Sequence, residues 1–328
     1  MSDDASATFA CFGSRCTVHV SGSGALGSPE EAVASARALL LDAHSRFSRF
    51  EPGSELSRLN GATDAAVPVS PLLARLAACV RGAASLTGGL VDATLLEEVR
   101  SAGYETDIAE PLTLAEALAE APARHAAGPS DGAAWRRIEV DPSRSLITRP
   151  PGVAIDSGGL AKGLFADVLA EQLEGHAMFA VDCAGDIAIG GSAREPRSVA
   201  VESPFDGSVL HTFAVEHGGV ATSGIGRRSW RDRDGRPAHH LIDPSTGRPA
   251  FTGIVQASAL AETALSAETR AKAALLSGPR GAARWLPDGG VIVLDDGSHH
   301  VFAPPPRLTV SRLGGAGAPA VARRRALL

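Results

Sequence analysis

The apolar positions of the chain repeat at two different spacings. Helical spacing predicts helices over residues 29–47, 71–86, 161–174 and 263–277. Shorter apolar runs bounded by turn residues predict strands over residues 9–20, 137–141, 145–155, 178–182, 187–190, 197–202, 209–215, 291–295 and 299–303. Successive strands with only occasional helices between them favour an α+β fold over a regularly alternating parallel sheet.

The polar and small-residue segments set the expected limits of the domain. One domain is predicted over residues 9–310, with a flexible N-terminus over residues 1–8 and a disordered tail over residues 311–328. The Ala, Gly and Pro content of residues 115–134 suits a surface excursion within that domain. Because the first residues are acidic and no run approaches about 20 apolar residues, we expect a cytoplasmic protein with no membrane insertion.

Composition restricts the kinds of molecule and metal that the chain is expected to bind. The 328 residues are 44% hydrophobic, which is enough to build a core. The net charge of −6 does not indicate a nucleic-acid-binding surface, and only residues 227–236 form a locally Arg-rich stretch. The four cysteines lack CxxC spacing, so we expect reduced thiols and no zinc site. Only two of the 31 Lys and Arg residues are lysines, Lys162 and Lys272. Since arginine cannot reproduce a compact ammonium in a tight pocket, both lysines are candidates for a special site.

The densest local signal for chemistry is the turn of residues 156–163, with the sequence DSGGLAKG. It connects a predicted strand to a predicted helix, so its backbone N–H groups and the positive end of the helix dipole suit a phosphate or pyrophosphate. Lys162 would add a point charge. An ordinary strand-to-helix turn with a solvated lysine explains the same residues, and the spacing matches neither the P-loop nor GxGxxG.

Two further turns place polar groups at strand ends. In residues 181–191 an acidic residue lies in a turn of small residues between two predicted strands. A tight hairpin would explain this turn without a functional site. Residues 220–224 end a strand in the hydroxyl donors Thr222 and Ser223, which on their own are a weak signal for a phosphate or ring contact.

The last two segments carry a histidine and an ion pair. In residues 240–249 a strong Asp-Pro-Ser-Thr-Gly turn follows His240, which is either a core histidine or the base of a site. In residues 267–278, Glu268 and Lys272 are four residues apart, the spacing of an ordinary helical ion pair.

In their order along the chain, these segments resemble the ApbE family of FAD:protein FMN transferases. Seven blocks recur in the family's order and at similar spacing, at residues 47–60, 89–94, 156–163, 181–191, 220–224, 240–249 and 267–278. The similarity covers about residues 9–303. It implies a bilobed α+β fold of two interleaved lobes, with mostly antiparallel sheets, packed helices and a cleft for FAD.

The resemblance also implies a reaction. In such enzymes a divalent metal, usually Mg²⁺, holds the pyrophosphate of FAD while a Thr or Ser hydroxyl of an acceptor protein attacks the FMN phosphorus and AMP departs. Carried over by position, the residues that bind FAD are Leu90, Val91, Asp92, Asp156, Lys162, Thr222, Ser223 and Ile242. The catalytic residues are His240, as the base, and Asp243. The metal ligands are the backbone oxygen of Gly159 and the side chain of Glu268.

Several positions depart from the family pattern. Phe50 and Gly226 stand where family members commonly carry Tyr. Lys272 stands where the family supplies a Thr as metal ligand, although an ammonium has no acceptor for Mg²⁺. Lys272 either brings its own charge to the pyrophosphate, or turns outward to pair with Glu268 while water completes the metal shell.

Two functional hypotheses follow. The first is a cytoplasmic transferase that attaches FMN to a Thr or Ser of an acceptor protein. The alternative is a degenerate member that binds FAD, or hydrolyses it slowly, without protein flavinylation.

Overall fold

The computed structural model describes residues 3–105 and 111–303, so the tail expected at residues 311–328 lies outside the described residues. The helices are α1 (Pro29–Phe47), α2 (Glu55–Gly61), α3 (Pro71–Leu86), α4 (Leu96–Ser101), α5 (Leu114–Ala119), α6 (Ala161–Leu173), α7 (Ala264–Leu276) and α8 (Gly278–Gly281). Short 3-10 helices cover Ala134–Arg137, Ser157–Gly159 and Ala282–Trp285. Within the described residues, no helix combines the length and apolarity needed to cross a bilayer.

An antiparallel sheet of eight strands forms the centre of the fold, in the order β1-β2-β6-β7-β10-β15-β16-β17. Its strands are β1 (Asp4–Cys11), β2 (Ser14–Ser21), β6 (Met178–Cys183), β7 (Asp186–Gly190), β10 (Gly218–Gly224), β15 (Ile254–Ala261), β16 (Gly290–Leu294) and β17 (His299–Phe302). A three-stranded sheet has the order β3-β5-β4, and β8 with β9, β11 with β12 and β13 with β14 form two-stranded pairs. These smaller strands are β3 (Ala66–Pro68), β4 (Glu139–Asp141), β5 (Leu146–Thr148), β8 (Arg197–Glu202), β9 (Val209–Val215), β11 (Ser229–Arg231), β12 (Pro237–His239), β13 (Ile242–Asp243) and β14 (Arg248–Pro249).

The predicted α+β class is confirmed, and the four predicted helices form α1, α3, α6 and α7. The single strand expected over residues 9–20 is instead a hairpin, because Phe12 and Gly13 adopt positive φ and turn the chain between β1 and β2. Residues 4–8, expected to be a flexible N-terminus, pair with β2 as the first half of β1. The strand expected over residues 145–155 is only the three-residue β5, and β15 in the middle of the large sheet was not predicted.

Helices α6 and α7 pack against each other and against strands of the large sheet, so they cover the same face of it. Gly163 permits this close packing, since a Cβ there would lie 2.8 Å from the Cα of Leu265. The carboxylate of Asp167 on α6 accepts hydrogen bonds from the N–H groups of Ala264 (2.7 Å) and Leu265 (3.0 Å) at the start of α7. These contacts fix the start of α6 beside the first two turns of α7, where the polar residues discussed below lie.

Candidate functional site

A cavity of about 300 Å³ lies where the turn before α6 meets residues 48–51, 90–95 and 240–242. Eight of the residues expected in the site line it, namely Leu90, Val91, Asp92, Asp156, Gly159, His240, Ile242 and Lys272. Lys162, Thr222, Ser223, Asp243 and Glu268 are not part of its wall. The volume is at the lower end of the roughly 300–1,000 Å³ usual for small-molecule sites.

Hydrogen bonds and close packing hold the turn of residues 156–159 against residues 92–94. The N–H of Asp156 donates to the carbonyl of Ala93 at 2.8 Å, and the Asp156 carboxylate accepts from the N–H of Gly158 at 3.1 Å. Gly159 sits so close that a Cβ would lie 2.9 Å from the Cβ of Ala93. On the other segment, the Asp92 carboxylate accepts from the Thr94 N–H at 2.8 Å, and burial raises its pKa. Two blocks that are distant in sequence thus form one wall of the cavity.

Beneath this wall lies a network of buried charges that joins α6, β7 and α7. Lys162 forms an ion pair with Asp186, and its Nζ lies 4.0 Å from Oε1 of Glu268. The Nζ of Lys272 donates to the same Oε1 at 2.7 Å, while the N–H of Gly163 donates to Oε2 of Glu268 at 3.0 Å. Both lysines of the chain therefore converge on one carboxylate, which is fully buried.

The charges of this network stabilise one another. Although burial disfavours its ionised form, Glu268 has a lowered pKa because Lys272 and Lys162 lie beside it. Burial likewise opposes the charge of Lys162, but Asp186 and Glu268 raise the pKa of this lysine. Burial, together with repulsion from Glu268, raises the pKa of Asp186 to about 7. Near neutral pH the network therefore holds Lys162 protonated and Glu268 ionised.

His240 lines the cavity and is the candidate base. Its Nδ1 is buried and has no hydrogen-bond partner among the described residues. Burial, and then the positive charge of Arg228, lower its pKa well below 6.5. The ring is consequently neutral at pH 7, so one of its nitrogens can accept a proton. The neighbouring His239 instead packs edge-on against Phe251, and burial lowers its pKa to about 3.

Three of the expected residues have contacts away from the cavity. Oδ1 of Asp243 accepts from the N–H groups of Gly128 (3.1 Å) and Ser245 (2.9 Å), and these bonds stabilise the turn that follows β13. Asp243 forms no hydrogen bond with His240, and the catalytic role expected for Asp243 stays a prediction. Thr222 shares a 2.7 Å hydrogen bond with the hydroxyl of Ser258, and Ser223 is buried in β10.

An arginine and a tyrosine that sequence reasoning did not single out belong to the cavity wall. The guanidinium carbon of Arg49 lies 4.4 Å from the ring centroids of both Phe50 and Tyr104, and its Nε is 3.6 Å from Oδ1 of Asp156. Arg49 falls within the block of residues 47–60, which was a signal for it, and Tyr104 is the single tyrosine of the chain. Arg228, from the Arg-rich stretch, also lines the cavity and donates to the carbonyl of Phe12 at 2.9 Å.

The residues at the expected metal position do not fit a Mg²⁺ site. Mg²⁺ requires near-octahedral oxygen coordination, but both oxygens of Glu268 already accept hydrogen bonds, from Lys272 and from Gly163. The ammonium of Lys272 has no lone pair to offer. Across residues 3–105 and 111–303, no three His, Cys, Asp or Glu side chains cluster as metal ligands would.

Comparison with known proteins identifies a family. The sequence model of the ApbE family matches residues 12–294. The FAD:protein FMN transferase of Klebsiella pneumoniae (strain 342) is 28% identical over 264 residues, which cover 77% of this chain and 73% of the relative. The protein of the same name from Rhodobacter capsulatus is 28% identical over 322 residues, which cover 92% of this chain but only 57% of the relative.

Solved structures show the same fold. An ApbE protein from Thermotoga maritima MSB8 has a TM-score of 0.73 at 22% identity, covering 91% of this chain and 96% of its own. The flavin transferase ApbE from Vibrio cholerae has a TM-score of 0.70 at 21% identity, and the match covers 92% of this chain and 97% of that protein. The expected ApbE-like fold is thus confirmed. The degenerate alternative finds no support in these relatives, because they are named as transferases.

Proposed function

The chain belongs to the ApbE family, and on that premise we propose that it is an FAD:protein FMN transferase. In the reaction, a Thr or Ser hydroxyl oxygen of an acceptor protein forms a bond to the FMN phosphorus of FAD. The bond from that phosphorus to the oxygen bridging the two phosphates breaks, and AMP leaves with the bridging oxygen. The hydroxyl proton passes to a base, so the products are an FMN phosphoester on the acceptor and free AMP.

The observation that carries this proposal is the meeting of apolar residues, a glycine turn before a helix, and His240 in one cavity. Leu90, Val91 and Ile242 supply apolar surface suited to the flavin rings. The glycine turn with Asp156 and Gly159 lines the cavity and leads into α6, so the positive end of that helix dipole lies beside the cavity, where it favours a phosphate.

His240 supports the proposal as the base. It reaches the cavity, it is neutral at pH 7, and its Nδ1 has no partner among the described residues. In this proposal the proton of the acceptor hydroxyl moves to that ring as the oxygen attacks phosphorus. Asp243 contributes by holding the turn that follows His240 and Ile242.

The remaining residues of the proposed site act from outside the cavity wall. Lys162 places a positive charge below the glycine turn, where its ion pairs with Asp186 and Glu268 hold it. We propose that Thr222 and Ser223 contact FAD from the end of β10. We expect the acceptor to be a cytoplasmic protein or domain, and this location remains a prediction.

The test is a transfer assay. The purified chain is incubated with FAD and a panel of soluble candidate acceptors that carry an accessible flavinylation-type Thr or Ser. We expect one acceptor to gain one FMN by mass spectrometry and to fluoresce on a denaturing gel, with an equal amount of AMP released.

Two variants test whether His240 is the general base. His240→Asn should reduce the transfer rate by about 10²–10⁴-fold, the usual contribution of a general base. His217→Asn, which removes an exposed histidine away from the cavity, should leave the rate unchanged. Release of AMP and free FMN with no adduct on any acceptor would instead identify a hydrolase.

A further inference from the structure

Lys272 brings a positive charge to the cavity wall from a buried helix. Its side chain is only 10% exposed, and it lines the cavity beside His240 and Gly159. It therefore does not turn outward into solvent, although it keeps its ion pair with Glu268. The pairing and the cavity position, which the sequence offered as alternatives, occur together.

The ammonium is oriented by one contact and has further donors available. Lys272 has three N–H donors, and the contact made by them within the described residues is the 2.7 Å hydrogen bond to Glu268. The carboxylate is itself fixed by the N–H of Gly163 and lies 4.0 Å from Lys162. Two donors of Lys272 remain for oxygens of a ligand in the cavity.

The choice of lysine at this position is itself informative. Only two of the 31 basic residues are lysines, and both lie within 4.0 Å of Glu268. A planar guanidinium differs in shape from the compact ammonium, which acts as a point charge much as a small cation does. Arg228 lines the same cavity, whose wall also carries carboxylates such as Asp92 and Asp156. Lys272 and Arg228 are therefore the cations of this wall that suit the pyrophosphate of a dinucleotide, while the wall as a whole is mixed in charge.

We propose that the ammonium of Lys272 holds the pyrophosphate of FAD in place of a divalent metal. The inference rests on the proposed function for the identity of the ligand. It assigns to Lys272 the charge that Mg²⁺ would otherwise supply, at a position where Glu268 is already committed to two hydrogen bonds. FAD binding by this chain is therefore independent of Mg²⁺.

The test measures flavin affinity by fluorescence titration, without any acceptor, in EDTA and in Mg²⁺. The wild-type affinity for FAD should agree within about 2-fold between the two conditions. Lys272→Thr should weaken FAD binding in EDTA by about 10- to 100-fold, the effect of losing a hydrogen bond to a charged group. Its affinity for riboflavin, which has no phosphate, should be unchanged.

Two more variants complete the design. Arg270→Gln removes a charge from the same helix, but Arg270 pairs with Asp288 outside the cavity, so its FAD affinity should equal that of the wild type. Glu268→Asp/Lys272→Thr installs the oxygen ligands that the family resemblance implies, and it should bind FAD tightly only with Mg²⁺.

A tenfold loss of wild-type FAD affinity in EDTA would overturn the inference, as would wild-type FAD affinity in Lys272→Thr. If that variant also loses riboflavin, it has failed to fold, and the wild-type comparison decides alone. FAD binding that depends on Lys272, in a protein that transfers no FMN, would remove the proposed function and leave this inference standing.

Discussion

Replacing Glu268 with glutamine removes a carboxylate that contacts both lysines of the chain and leaves the side-chain shape almost unchanged. The glutamine oxygen can still accept from the N–H of Gly163, but the negative charge near Lys162 (4.0 Å) and Lys272 (2.7 Å) is lost. Removing one partner of a buried ion pair costs about 3–5 kcal/mol. Because Asp186 still compensates Lys162, we expect the lower end, about 3 kcal/mol.

The assay is urea unfolding followed by the fluorescence of the three tryptophans. Glu174→Gln is the matched control, since this carboxylate is 59% exposed and lies 3.5 Å from His217; it should change stability by less than about 0.5 kcal/mol. The double variant Glu268→Gln/Lys272→Met should recover part of the loss, because it removes the uncompensated charge. A loss below about 1 kcal/mol in Glu268→Gln would refute the buried network.

Three other predictions concern packing, pH and thiols. Gly163→Ala should lower the free energy of unfolding in urea by about 1–3 kcal/mol, because its Cβ meets the backbone of α7. The control Gly61→Ala, whose Cβ points into open space, should not lower it. Equal stabilities of the two variants would contradict the helix packing. Because the pKa of His240 lies well below 6.5, kcat/KM for transfer should show no loss through this residue until the pH falls well below 6.5. An inflection at 6.5 would argue against a base whose pKa is lowered in this way. Neighbouring thiols and burial raise the pKa values of Cys11 and Cys16, so both should react with a disulfide reagent at pH 8 only after unfolding.

The four longest helices were predictable because their signals are local, whereas α2, α4, α5 and α8, of seven residues or fewer, were missed. The helix α1 has apolar residues at helical spacing, Pro29 in its first turn, and a capping box between Ser28 and Glu31. The central strand β15 was missed because it is buried on both faces, so its sequence IVQASALA lacks the polar alternation of a half-buried strand. The strands β11 to β14 were missed because each is only two or three residues long.

The site was predictable where its residues share one segment, as in the turn of residues 156–163. The contact of Lys162 with Asp186 and Glu268 joins three distant segments, which no local pattern reports. Asp243 lies close to His240 in sequence, but its carboxylate bonds to the turn rather than to His240, so its catalytic role stays a prediction. The rarity of lysine was the one compositional feature that pointed to both lysines of the buried network.

The most direct test of the account is the stoichiometry of one transfer reaction. FAD labelled in both its flavin and adenine halves is mixed with the chain and the acceptor panel, and both halves are followed by chromatography and mass spectrometry. The account predicts that AMP and protein-linked FMN appear in equal amounts and that His240→Asn slows both together. Recovery of intact FAD, or of AMP with free FMN and no labelled acceptor, would contradict it.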